Sequence, residues 1–204
     1  MSEDNKYTFE NKEYRDTYRH TVSHILAQAV KRLYPEVKLA IGPAIENGFY
    51  YDFDAPFSFT QEHLDALEAE MRKICKEKEK LERFELPREE AVKLMQERGE
   101  KYKVEHIDDL PEDAVISFYQ QGDYIDMCTG PHLCYTKALK AFKLTGISGA
   151  YWKNDKNNKM LTRINGVAFR SQSELDEYLR LLEEAERRDH RRIGKEMGLF
   201  MLCD

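Results

Sequence analysis

His20 and His24 stand four residues apart in RHTVSHILAQAV, and Cys128 and His132 stand four apart in DMCTGPH. Three imidazoles and a thiolate are a complete donor set for tetrahedral zinc, and the two widely separated pairs have suitable spacing. On a helix, side chains four apart project from one face about a turn from each other, so His20 and His24 can share one small site. The Gly130-Pro131 step rules out a regular helix between Cys128 and His132, and a loop must bring that pair together. A zinc finger would keep its two pairs close in sequence, and Thr21 stands where an H-E-x-x-H metalloprotease has its glutamate base. Neither metal motif fits. Alone, His20 and His24 would suit hydrogen-bonded core histidines; Cys128 and His132 make a shared site the better reading. His63, His106 and His190 read as ordinary structural or surface residues, and Cys75, Cys134 and Cys203 as small packing residues.

The elements that must position these groups follow from apolar periodicity. Val22, Ile25, Leu26, Ala29, Val30 and Leu33 recur at helical spacing, and Ala27 and Ser23 widen the stripe until little polar face remains. A central, largely buried helix is expected, starting near Asp16 or Thr17 and stopping at Tyr34 before Pro35. Titratable rings on such a helix need hydrogen-bond partners or a compensating charge. Val37–Ile41 and Phe49–Phe53 read as strands turned by Glu46-Asn47-Gly48. Ser58 or Thr60 caps a second helix carrying Leu64, Leu67, Met71, Ile74 and Leu81, with solvated charge outside its seam.

Phe84–Leu86 should be extended, Pro87 opens a short helix ending at Gly99, and the alternation in Tyr102–Ile107 reads as a strand. Ala114–Gln120 is another strand, turned by Gly122-Asp123, and Tyr124–Met127 leads into the Cys128–His132 loop. Phe142–Trp152 and Met160–Phe169 are strands separated by a turn at Asn154–Asn158. Ser171 with Glu174 is a capping box for a helix through Leu175, Leu179 and Leu182, basic towards Arg187, Arg188, Arg191 and Arg192. The polar start looks like a tail, and the apolar end Gly198–Leu202 reads as a cut inside a larger protein.

Composition narrows the class. A net charge of −6 argues against a surface that grips nucleic acid broadly, so any such contact should be small and directed. There is no long apolar run and no signal-peptide pattern, so a cytoplasmic protein without a membrane partner is expected. The cysteines have neither CxxC nor framework spacing, and disulfides are not expected.

From about Tyr14 onward the chain resembles the editing region of bacterial-type threonyl-tRNA synthetases. The matching words are RHTVSHILAQAVKRLYP, AIGPAIENGFYYDF, YIDMCTGPHL, FKLTGISGAYW and DHRRIGKEMGLF. Paired HxxxH and CxxxH motifs also occur in the editing domains of alanyl-tRNA synthetases; ENGFYYDF and LTGISGAYW point to the threonyl enzyme. The resemblance implies hydrolysis of serine wrongly esterified to threonine tRNA, with His20, His24, Lys103, Cys128 and His132 as catalytic residues and Tyr51 and Asp126 binding substrate. Its implied partners are the tRNA acceptor end carrying serine and an aminoacylation core absent from this chain. A required cofactor is not expected; zinc at His20, His24, Cys128 and His132 is the disfavoured alternative. The implied organisation is a tail over residues 1–13, an editing domain over 14–170, and a linker helix with the start of a class II core over 171–204. The expected fold is α+β, an antiparallel sheet wrapped around the central helix, with helices at the periphery and the linker helix at the C-terminus. The rival functional expectation is a non-catalytic, acceptor-binding or structural fragment.

Overall fold

The computed structural model describes residues 8–188. Expectations about residues 1–7 and about Arg191, Arg192, His190, Cys203 and Gly198–Leu202 lie outside the described residues.

The central helix α1 (Lys12–Leu33) starts a turn earlier than expected, within the stretch read as a tail. Asn11 is its cap: the side-chain oxygen accepts from the backbone N–H of Glu13 at 2.9 Å and of Tyr14 at 3.4 Å. Thr17, proposed as a cap, instead donates its hydroxyl back to the carbonyl of Glu13 within the helix. Phe9 packs against Tyr18 with ring centroids 5.0 Å apart, which ties the entry segment to the core. Further along the helix, Thr21 through Val30 are all buried, as the wide apolar stripe required.

Two antiparallel sheets flank this helix rather than one. The larger joins β1 (Lys38–Leu39), β3 (Gly48–Asp54), β8 (Met160–Phe169) and β7 (Ala141–Tyr151) in that order, with β2 (Ala44–Ile45) also pairing β3. The smaller is β4 (Leu81–Leu86), β5 (Ile116–Gln121) and β6 (Tyr124–Met127). α2 (Gln61–Glu77) packs on α1, α3 (Arg88–Glu97) and α4 (Lys101–Asp109) precede β5, and α5 (Gln172–Arg187) covers β7 and β8 through Leu175. The main core joins Val22, Ile25, Leu26 and Val30 of α1 to Phe49, Tyr51 and Phe53 of β3 and Leu64, Leu67 and Met71 of α2. Each fully buried aliphatic side chain there contributes about 1.5–3 kcal/mol relative to exposure. A smaller cluster of Ala91, Met95, Ile107, Ile116 and Phe118 fastens α3 and α4 to the second sheet.

Two local expectations are corrected. Leu81 does not continue α2: Lys78 takes a left-handed conformation at φ 59° and closes the helix, so Leu81 opens β4. Tyr102–Ile107 is not a strand but most of α4. Alternation over six residues is too short to separate the two periods, and a sharp turn at Gly99, at φ 69°, lets the chain double back into a second helix. No helix among the described residues is long and apolar enough to cross a membrane.

Candidate active site

Three pieces of chain meet over the N-terminal half of α1. Helix α1 presents His20 and His24 on one face; β3 brings Tyr51; β6 and the loop after it bring Asp126, Cys128 and His132. Together with Lys103 from α4 they place all seven expected residues in one constellation. A cavity of about 780 Å³ opens there, lined by His20, His24, Tyr51, Lys103, Asp126 and Cys128. His132 is the exception, since it does not line the cavity. Its ring lies behind Cys128, with centroids 4.2 Å from His20, 4.0 Å from His24 and 4.4 Å from Tyr119.

Close packing of glycines shapes the walls. A Cβ at Gly42 would fall 2.0 Å from the Tyr51 ring, so only glycine lets that segment pass, and the Ser23 hydroxyl holds it by donating to the Gly42 carbonyl at 2.6 Å. Gly130, at φ 74°, turns the loop beneath Tyr119, whose hydroxyl would lie 2.2 Å from an added Cβ. That turn aims the Gly130 N–H at Cys128 Sγ, 3.2 Å away.

Asp126 is the electrostatic centre. It is 1% exposed; its Oδ1 pairs with Lys103 Nζ at 2.7 Å, and its Oδ2 accepts from the hydroxyls of Tyr51 at 2.7 Å and Tyr124 at 2.9 Å. Lys103 Nζ also donates to the Tyr51 oxygen at 3.1 Å. Burial, reinforced by the charge of Asp126, pushes both phenols well above their ordinary range, so they remain donors at neutral pH. His24 Nε2 is 3.7 Å from Oδ2, too far for a hydrogen bond, and its buried Nδ1 has no partner among the described residues.

Helix α4 holds Lys103 in place through its neighbours. Tyr102 donates to Asp54 at 2.8 Å, Lys101 pairs with the same carboxylate at 2.9 Å, and Trp152 donates its ring N–H to Glu105 at 2.8 Å. Burial alone would raise Asp54, but hydrogen bonds from Lys159, Lys101 and Tyr102 together outweigh it and hold the carboxyl at about 2, below the usual range.

The thiol and two of the imidazoles share one hydrogen-bonded group. Cys128 Sγ is 3.3 Å from His20 Nε2 and 3.3 Å from His132 Nε2. Burial pushes the thiol up to about 11, against the opposing pull of the Gly130 N–H, so it is protonated at neutral pH. Burial also lowers all three imidazoles, His24 and His132 most; His20 further disfavours charge on both of those rings, and His24 does so on His132. At neutral pH the site therefore offers neutral imidazoles beside one lysine–aspartate pair.

The same four donors fit a metal. The ligand atoms of His20, His24, Cys128 and His132 all lie within 4.8 Å of one another. The two 3.3 Å sulfur–nitrogen separations suit the edge of a tetrahedron built on bonds of about 2.0–2.3 Å.

Sequence reasoning passed over three residues here. Tyr124 is two before Asp126 on a strand and so on its face, a signal that was legible. Thr21, fully buried, was noted only as the residue that excludes a metalloprotease. His106 lines the outer cavity, and reading its segment as a strand concealed that placement.

The model of the threonyl and alanyl tRNA synthetase second additional domain matches residues 116–165, the stretch that contains Asp126, Cys128 and His132. The chain is 64% identical over 195 residues to the threonine–tRNA ligase of Clostridium novyi, covering 96% of this chain and 31% of that protein. It is 62% identical over 198 residues to that of Clostridioides difficile, covering 97% of this chain and 31% of the relative. The corresponding figures for Clostridium tetani are 64% over 195 residues, 96% and 30%. The chain thus spans about a third of the length of these curated relatives, and along that span it belongs to the threonyl-tRNA synthetase family.

Proposed function

We propose that this chain carries out post-transfer editing, hydrolysing serine from threonine tRNA on which it has been wrongly esterified. The observation that carries this reading is the cavity whose wall combines neutral imidazoles with the Lys103–Asp126–Tyr51 network. Ester hydrolysis needs a proton acceptor for the attacking water, a donor for the developing oxyanion and a fixed ester carbonyl. His20 or His24, uncharged at neutral pH, takes the water's proton; Lys103 orders the water and stabilises the oxyanion. Tyr51 forms the wall against which the small side chain rests. Asp126 anchors the substrate ammonium, which competes with Lys103 for Oδ1. Cys128 helps to hold the His20 ring through its sulfur and need not act as a nucleophile.

Editing answers a deficit that binding alone leaves. One missing methyl group is worth only about 1–3 kcal/mol in a synthetic pocket, so a second site must remove the smaller product. The catalytic unit in this reading runs to residue 170, with residues 171–204 leading towards an aminoacylation core in the parent enzyme; its start lies upstream of the expected boundary after residue 13, because α1 begins at Lys12 and is capped by Asn11. The partner is the tRNA acceptor end, and the compartment is the cytoplasm. Zinc bound by His20, His24, Cys128 and His132 would supply a Lewis acid. We favour editing without it, because the positive charge of Lys103 acts directly on His20, His24 and Cys128.

The test is single-turnover deacylation by the purified chain. Release of serine from threonine tRNA, with the threonyl ester spared, is the expected result. Equal hydrolysis of both esters overturns the discrimination, and binding of the acceptor end with hydrolysis of neither would make the chain a non-catalytic module.

A further inference from the structure

Thr21 sits between the two helix histidines, fully buried, with its hydroxyl at the meeting point of three hydrogen-bonding groups. The oxygen is 2.7 Å from the Thr17 carbonyl, 3.0 Å from the Leu133 amide nitrogen and 3.3 Å from His132 Nδ1. A hydroxyl has one proton and two lone pairs. The Thr17 carbonyl can only accept, so it takes the proton; the Leu133 N–H can only donate, so it uses one lone pair. The contact with His132 then has only one polarity left: Nδ1 carries a proton and donates it to the second lone pair. In a neutral ring Nε2 is then bare, and it is the nitrogen that faces Cys128 Sγ at 3.3 Å. Of the residues in this chain of contacts, Thr17 and Cys128 line the cavity, and Cys128 is the one that His132 touches.

We infer that Thr21 is a positioning residue for the hydrolytic site: its hydroxyl fixes His132 as the Nδ1–H tautomer, and the bare Nε2 of His132 accepts the Cys128 thiol proton and holds the sulfur at the cavity wall. The assignment explains why His132, which does not line the cavity, still belongs to the constellation. The same hydroxyl, by accepting from Leu133, fixes the end of the loop that carries Cys128 and His132. Thr21 therefore couples helix α1 to that loop through both the ring and the backbone.

The test is carried out on the whole chain with ¹⁵N-histidine labelling, at a pH where the rings are neutral. In the parent chain the His132 resonances, assigned by their loss in His132→Asn, should show a protonated Nδ1 and a bare Nε2. In Thr21→Val, which keeps the shape and removes the hydroxyl, that signature should be lost, and seryl-tRNA deacylation should fall roughly 10- to 100-fold, mainly in the catalytic step. Thr21→Ser, which keeps the hydroxyl, should retain both tautomer and rate. A protonated Nε2 in the parent chain overturns the assignment whatever the variants do, including a Thr21→Val chain that fails to fold. Unchanged tautomer and rate in folded Thr21→Val, or a Thr21→Ser chain as defective as Thr21→Val, overturns the positioning role. The rate measurement rests on the editing reading above, whereas the tautomer measurement does not, so the two can fail separately.

Discussion

Lys103 and Asp126 meet at 2.7 Å, one from helix α4 and the other from strand β6, and each is 5% exposed or less. A buried pair of this kind is strongly coupled to folding, because removing one partner leaves the other charged and uncompensated, at a cost of about 3–5 kcal/mol. Asp126→Ala should therefore do more than weaken substrate binding: it also strips Lys103, Tyr51 and Tyr124 of their acceptor. The expected outcome is a clear loss in urea midpoint together with loss of deacylation. A stability equal to the parent's would show that water replaces the carboxylate.

His20 and His24 should separate in their effects. Both variants to alanine should lose most deacylation, but His24 is 2% exposed and packs against the rings of His20, His132 and Tyr124. His24→Ala should cost about 1–3 kcal/mol through the cavity it leaves, whereas His20→Ala, on the cavity wall, should melt close to the parent. Collapse of folding in both would return the pair to a purely structural role.

Acid should destabilise the fold. Burial lowers His20, His24 and His132 below their ordinary value of 6.5, so below that pH the unfolded chain binds protons that the folded chain does not. The sign follows: stability from these rings is complete above pH 6.5 and falls as the pH drops towards their folded values. Asp54, held at about 2, loses its stabilising contribution only as the pH falls from its ordinary value of 3.8 towards 2, below the pH 5.0 used for the measurement. Urea midpoints at pH 7.5 and 5.0 check it; the lower pH should give the lower midpoint, and His24→Gln should shrink the difference.

Metal removal should leave activity in place. After exhaustive chelation the chain should deacylate seryl-tRNA at the untreated rate, even though the donors can accept zinc. Loss of activity restored by stoichiometric zinc, with one zinc per chain in metal analysis, would make the four-ligand centre the working form.

Much of the architecture was legible in the sequence because local periodicity encodes it. The apolar stripe of α1, the aromatic and β-branched runs of β3, β5 and β8 with their bounding turns, and the Ser171 cap of α5 are properties of neighbouring residues. The HxxxH and CxxxH spacings likewise named the groups that converge. Where a segment was short, locality failed: six alternating residues fitted a strand, yet α3 and the second sheet supplied the surface that makes Tyr102–Ile107 helical. Motif matching placed Lys103 in the site, but its 2.7 Å contact with Asp126 depends on Asp54 and Trp152 holding α4, and both lie far from it in sequence. Only the tertiary structure decided that His132 stands behind Cys128 and that Thr21 faces it, because those distances are set by how a loop packs over a helix more than a hundred residues away, and no spacing along the chain records that packing.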